Sequence, residues 1–196
     1  MDTLDIPNSS NQLFLPGLAT LDDSRRLLLV ETLGRESEGI TELIAALALR
    51  GPFYVIAGGE WLPGYALTRS LRAKTLQVKQ ALDHVILTRP FTCYQVLDLV
   101  SERRPGNEPI LILDFLHHFY NEDVDLPVRF RVFEQSCKQL QRLSLFRTVL
   151  VFAQRMPVEH YQRFFSLLTS IADETFQMDG ETASKPTQLA LFQESV

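Results

Sequence analysis

Short apolar runs alternate with longer amphipathic ones along this chain. The runs at 27–30, 53–57, 84–88, 109–113 and 148–152, and a weaker one at 175–178, each have the length of a buried strand. Between them the apolar positions repeat at helical spacing. Ile40, Leu43, Ile44 and Leu47 mark one helix, and Val96, Leu97 and Val100, after Tyr94, mark another. Phe130, Phe133, Cys137 and Leu140 line one face of a third, as Val158, Tyr161, Phe165, Leu168 and Ile171 do of a fourth. Strand followed by helix, repeated along the chain, predicts an α/β fold with a mostly parallel central sheet and helices on both faces. The right-handed crossover rule then leaves few topologies.

Length and composition narrow the class. The 196 residues suffice for one domain with a sizeable core, and 45% hydrophobic with 22% charged residues is ordinary for a globular protein. No stretch approaches the roughly 20 apolar residues of a membrane span, so no membrane partner is expected. The opening MDTLDIPNSSNQ is acidic and polar, unlike a secretory signal or an Arg-rich transit peptide, and a cytoplasmic, nucleoid-associated location is the expectation. Cys93 and Cys137 match no metal spacing and read as reduced core thiols. A formal net charge of -5 means that any DNA contact must come from a local basic patch working against the whole molecule.

The pattern divides the chain into three parts. Residues 1–23 are rich in Asn, Ser, Pro and Asp and read as a surface segment. Residues 24–180 carry the alternating core, and 181–196 form a polar, flexible tail.

Candidate chemistry begins after the first apolar run. RLLLVE leads through TLGRESEGIT into the first helix, and Gly34 and Gly39 have the separation of the two glycines in a GxxxxGK[ST] phosphate loop. Thr41 stands at the Ser/Thr position, and Ile40 at the lysine position. Further motifs follow in order. FYVIAGGEWLPGYALTRSLR has a strand, an acidic turn, an aromatic-x-Pro step and a helix; HVILTRPFTCYQVLDLV has a strand, then Arg89 and Phe91, then a helix. PILILDF has the shape of a Walker B strand ending in Asp114, and TVLVFAQ ends in Gln154. Taken together over about 27–180, these segments resemble the RecA/RadA recombinases and their paralogs. The resemblance implies a RecA-like P-loop core with a vestigial nucleotide site at Gly34, Gly39, Thr41, Asp114 and Gln154.

The departures from that family bear on function. A P-loop lysine neutralises charge on the β- and γ-phosphates, which isoleucine cannot do. The family's water-positioning carboxylate follows the second strand, where this chain has Gly58, with Glu60 displaced by two residues. Each such group is typically worth ~10²–10³ or more in rate, so no catalytic residue and no ATPase activity are expected. Two readings of the loop stay open. Either ATP with Mg²⁺ binds without hydrolysis, held by backbone N–H groups, Thr41 and Asp114, or the two glycines simply turn the chain from strand to helix and no cofactor is bound. Glu36 and Glu38 oppose phosphate binding.

The resemblance also implies two DNA-contacting loops. The first, HHFYNEDVDLPVRFR, offers Arg129 and Arg131 behind three acidic residues; the second, QRMPVEHYQR, offers Arg155 and Arg163. Neither is basic and Gly-rich, so at most weak DNA binding is expected. His117 and His118 lack carboxylate or cysteine companions at metal-ligand spacing and read as one buried and one exposed histidine, not a metal site. In the tail, QLALF resembles the short peptide by which bacterial polymerases and repair proteins dock on the sliding clamp, with Gln188, Leu189, Leu191 and Phe192 at the fixed positions; the other reading is a last strand or hydrophobic staple that packs back onto the domain.

Two functional expectations follow. One is a non-catalytic RecA-like paralog that pairs with a RecA-type recombinase, or with another paralog, in homologous recombination and DNA repair. The other is an accessory factor of the ImuA kind, docking on the sliding clamp beside an error-prone polymerase in damage-induced translesion synthesis. A weak NTPase completed by a partner is the third class.

Overall fold

The computed structural model describes residues 25–32, 38–59 and 64–178. Six strands form one sheet: β1 (Leu27–Thr32), β2 (Phe53–Ala57), β3 (Val85–Thr88), β4 (Ile110–Leu113), β5 (Val149–Gln154) and β6 (Glu174–Met178). Every pairing is parallel, in the order β3-β2-β4-β5-β1-β6. The α/β expectation is met, and the six apolar runs coincide with the six strands to within a residue or two at each end. The order is neither the 3-2-1-4-5-6 of dinucleotide-binding folds nor the 2-1-3-4-5 of flavodoxin-like ones.

Period-2 alternation assigns each strand residue to one of two cores. Leu28 and Val30, Leu111 and Leu113, and Leu150 and Phe152 face one side, where α1 (Glu38–Arg50), α2 (Gly64–Lys74) and α3 (Val78–Asp83) cover them. Leu27 and Leu29, Ile110 and Ile112, and Val149 and Val151 face the other, beneath α4 (Cys93–Ser101), α5 (Leu126–Ser144) and α6 (Glu159–Ile171). The central strands are apolar on both faces because both faces are covered. Cys93 and Cys137 are buried and free in the second core, and burial pushes the Cys137 thiol up to about 12. Among the described residues no helix is long and apolar enough to cross a membrane.

Local signals fix several element ends. Thr92 caps α4 by accepting from the Gln95 N–H at 3.2 Å, while the Gln95 side chain accepts from the Phe91 N–H at 2.7 Å, a reciprocal pair close to a capping box. Pro127 opens α5, where its missing N–H is harmless. Val158, expected on the apolar face of α6, is instead the exposed residue just before that helix.

The connections leave the strands toward different faces. The chain passes from β1 to α1 on one side, and from β5 to α6 on the other. Since β1 and β5 are neighbours, a crevice opens at their carboxyl ends, the place where parallel α/β sheets hold ligands. The same divergence recurs between β2 and β4.

Candidate functional site

The sheet gathers the expected nucleotide residues at its carboxyl edge. Thr32 and Gln154 end β1 and β5 in register, Gly39 and Thr41 lie in the first turn of α1, and Asp114 follows β4. Gly34 lies outside the described residues.

Ile40 is not poised toward this edge. It is 3% exposed and belongs to the core that includes Val30, Leu43 and Ile44. Thr41 beside it is also buried.

The end of β2 closes onto the end of β4. The Gly58 N–H donates to the Leu113 carbonyl at 2.8 Å, which draws the two backbones together. A β-carbon on Gly58 would lie 2.4 Å from the Asp114 carbonyl oxygen, and one on Gly59 would lie 2.6 Å from Asp114 Oδ2. No side chain fits at 58 without moving backbone. Asp114 itself has φ +51°, a left-handed conformation that aspartate tolerates better than most residues. Its Oδ2 stands 3.6 Å from His117 Nδ1, and the His117 N–H donates to its carbonyl at 3.1 Å.

The two histidines are both half-buried, not one buried and one exposed. Their rings meet edge to face at 4.9 Å, and His118 Nε2 lies 3.0 Å from the Pro90 carbonyl oxygen, a contact it makes as donor. Burial first, and His117 second, hold the His118 imidazole below its ordinary 6.5. Among the described residues no group of three or more His, Cys, Asp or Glu side chains is arranged to hold a metal.

The crevice between β1 and β5 is bridged. Arg155 donates to Glu31 through Nε at 2.8 Å and through a terminal nitrogen at 3.3 Å, and its guanidinium lies 4.5 Å from the Phe165 ring centre. A carboxylate and an arginine thus neutralise each other at the mouth of the crevice. An arginine held this way has less to offer a phosphate than a free one.

The segment after β4 is pinned down. Arg129 is 4% exposed and donates to the Phe119 carbonyl at 3.0 Å, with the Tyr161 ring below it. The Tyr161 hydroxyl stands 2.8 Å from Glu122 Oε1 and 3.0 Å from the Tyr120 carbonyl, sharing its one proton between them. The Tyr120 hydroxyl donates to the Gln154 carbonyl at 3.1 Å, and burial raises its pKa well above the usual tyrosine value. Phe115, Phe119, Phe133 and Phe164 pack edge to face or tilted beneath. The four arginines expected to approach DNA therefore divide. Arg129 faces inward, Arg155 is paired with Glu31, Arg163 lies exposed 3.9 Å from the Phe130 ring centre, and Arg131 is exposed.

Sequence reasoning missed three features of this edge: the Gly58–Asp114 contact, the inward Arg129 and the tyrosine ties. The adjacent glycines 58 and 59 were the available sign of the first. Arginine is rarely buried, yet Arg129 stands three and four residues before Val132 and Phe133 on the buried face of α5, and that spacing was the available sign. Gln188, Leu189, Leu191 and Phe192 lie outside the described residues. Neither known family models nor curated proteins match the chain.

Proposed function

We propose that this protein is a RecA-like domain that acts by binding rather than by catalysis, as an accessory or adaptor to a RecA-type recombinase or a second paralog in DNA repair. The observation that carries this reading is the contact between Gly58 and Asp114. At the position where recombinases place the water-orienting carboxylate, the space for any side chain is taken by the Asp114 carbonyl oxygen. Ile40 supports the same conclusion, because its side chain is part of the core rather than a replacement for a phosphate ligand. Residual binding of ATP with Mg²⁺ at Thr41 and Asp114 would have to proceed without either group. Fold alone never fixes function, so the partner carries the claim.

A second reading rests on the tail. Gln188, Leu189, Leu191 and Phe192 favour a clamp-docking accessory factor of translesion synthesis. Affinity capture after DNA damage, comparing the full chain with one ending at Ser184, separates the two. Recovery of a RecA-type recombinase by both baits, without the sliding clamp, supports the recombinase accessory. Recovery of the clamp and an error-prone polymerase by the full chain only supports the second. If neither bait recovers any of these proteins, both readings fail.

A further inference from the structure

The opposite edge of the sheet holds a cavity of about 260 Å³. It lies beneath the amino ends of four adjacent strands, where Arg25, Phe53, Pro109 and Thr148 lead into or begin β1, β2, β4 and β5. The last turn of α1 contributes Arg50 to it, and the turn that follows α5 contributes Phe146. Its size is close to the lower end of the ~300–1,000 Å³ that small ligands occupy. Strands of four to six residues separate it from the carboxyl edge by ~13–20 Å, so it is distinct from the crevice above.

The lining is amphipathic. Leu47, Phe53 and Leu150 give a buried apolar floor, and Phe146 is a partly exposed aromatic wall. Three arginines stand around it. Arg25 and Arg50 are exposed and make no ion pair among the described residues. The Arg147 side chain is only 2% exposed; its terminal nitrogens donate to the Glu108 and Arg104 carbonyls at 3.1 and 2.6 Å, and its buried Nε has no partner. Among the described residues, the Glu108 carboxylate, 3.9 Å from Arg147, is the acidic group paired with this set. Among the described residues, two of these positive charges have no ion-pair partner. The carbonyl ends of α1 and α5 point to the same edge, and their effective half charges offset part of that positive charge.

We infer that this cavity binds an organic phosphate monoester. Such a group carries -1.5 to -2 near pH 7, opposite in sign to the arginines, and presents three acceptor oxygens to guanidinium donors. Its organic body lies against Phe146 and the apolar floor. The same chemistry has two sources, a free nucleotide-sized metabolite or the 5′-phosphate at the end of a DNA strand. This site goes beyond the proposed adaptor role and does not depend on it.

The test is titration of the full chain with thymidine 5′-monophosphate, followed by amide chemical shifts. Saturable binding that moves Gly51, Asn107 and Thr148, with thymidine at least about tenfold weaker, is the expected result. The Arg25→Ala, Arg50→Ala double variant, which removes two exposed side chains, weakens binding by at least about tenfold while leaving the spectrum folded. No saturation, shifts confined to Gly39, Thr41 and Gln154, or undiminished binding by the double variant would each overturn the proposal. Competition by a 5′-phosphorylated oligonucleotide, and not by its 5′-hydroxyl counterpart, assigns the phosphate to a DNA end. Binding of the mononucleotide without such competition assigns it to a metabolite.

Discussion

The carbonyl oxygen of Asp114 lies 2.4 Å from where a β-carbon on Gly58 would stand. The obstacle is backbone of a neighbouring strand end, held by the Gly58 N–H on Leu113, so it cannot swing aside as a flexible side chain would. Gly58→Ala is expected to destabilise the fold by about 2–3 kcal/mol, as overpacking of a tight site does. Gly58→Glu, which puts a carboxylate just after β2, should cost at least as much and produce no ATP hydrolysis. Gly64, with nothing within 4 Å of an added β-carbon, is the control: Gly64→Ala should be neutral or slightly stabilising. Urea unfolding of the three variants checks this, and equal midpoints would remove the steric account.

Ile40→Lys addresses the other missing group. Because Ile40 packs with Val30, Leu43 and Ile44, lysine there carries an ammonium into an apolar core. The expected loss is about 3–5 kcal/mol, against about 0.5–1.5 for Ile40→Val. Calorimetry gives the stabilities and a nucleotide titration gives the binding. A stable Ile40→Lys protein that gains ATP affinity would show that position 40 can still reach phosphate.

Much of the fold was legible in the sequence because both of its periodicities are strong. Runs such as PILIL and TVLVF are apolar on both strand faces, and only a covered parallel sheet buries them. Helix α6 was legible for the same reason, through Tyr161, Phe165 and Leu168 at helical spacing. The candidate site was legible in position and not in state. Residue order brought Thr41, Asp114 and Gln154 to one edge, but whether Gly58 opens or closes that edge depends on a contact between β2 and β4, 56 residues apart at Gly58 and Asp114. Arg129 and Arg131 are two residues apart on α5, so helical spacing turns them to opposite faces, Arg129 in line with the buried Val132 and Phe133.

That difference between the two arginines is measurable. Arg129→Ala leaves the Phe119 carbonyl without its donor and opens a gap beside Tyr161, and should cost about 2–3 kcal/mol. Arg131→Ala should stay within about 0.5 kcal/mol, as exposed substitutions do. If the protein binds DNA through this segment, Arg131→Ala and Arg163→Ala weaken it and lower its salt dependence. Arg129→Ala acts on DNA only as far as it unfolds the chain. Paired unfolding curves and binding isotherms decide between an internal tie and a phosphate contact.

The Tyr161 hydroxyl tests how firmly the segment after β4 is held. Tyr161→Phe keeps the ring packing on Tyr120 and removes the hydrogen bonds to Glu122 and the Tyr120 carbonyl. A loss of about 1 kcal/mol is expected, concentrated as faster amide exchange over residues 120–125. Unchanged exchange there would mean that the aromatic packing alone pins the segment.

His118 supplies a pH dependence whose sign is fixed by its surroundings. Burial first, then the neighbouring His117, hold its imidazole below the ordinary 6.5, while the Pro90 carbonyl and Asp114 pull weakly the other way. The unfolded chain therefore binds this proton more readily than the folded one. Its contribution to stability is complete above about 6.5 and is lost as pH falls through the depressed folded value. His118→Gln, which keeps a donor for Pro90 but does not titrate, should flatten the stability profile below about pH 6.5 relative to the parent chain. Imidazole C–H shifts give the midpoint directly, and one at or above 6.5 would show that His118 is not desolvated between Pro90, Gly58 and His117.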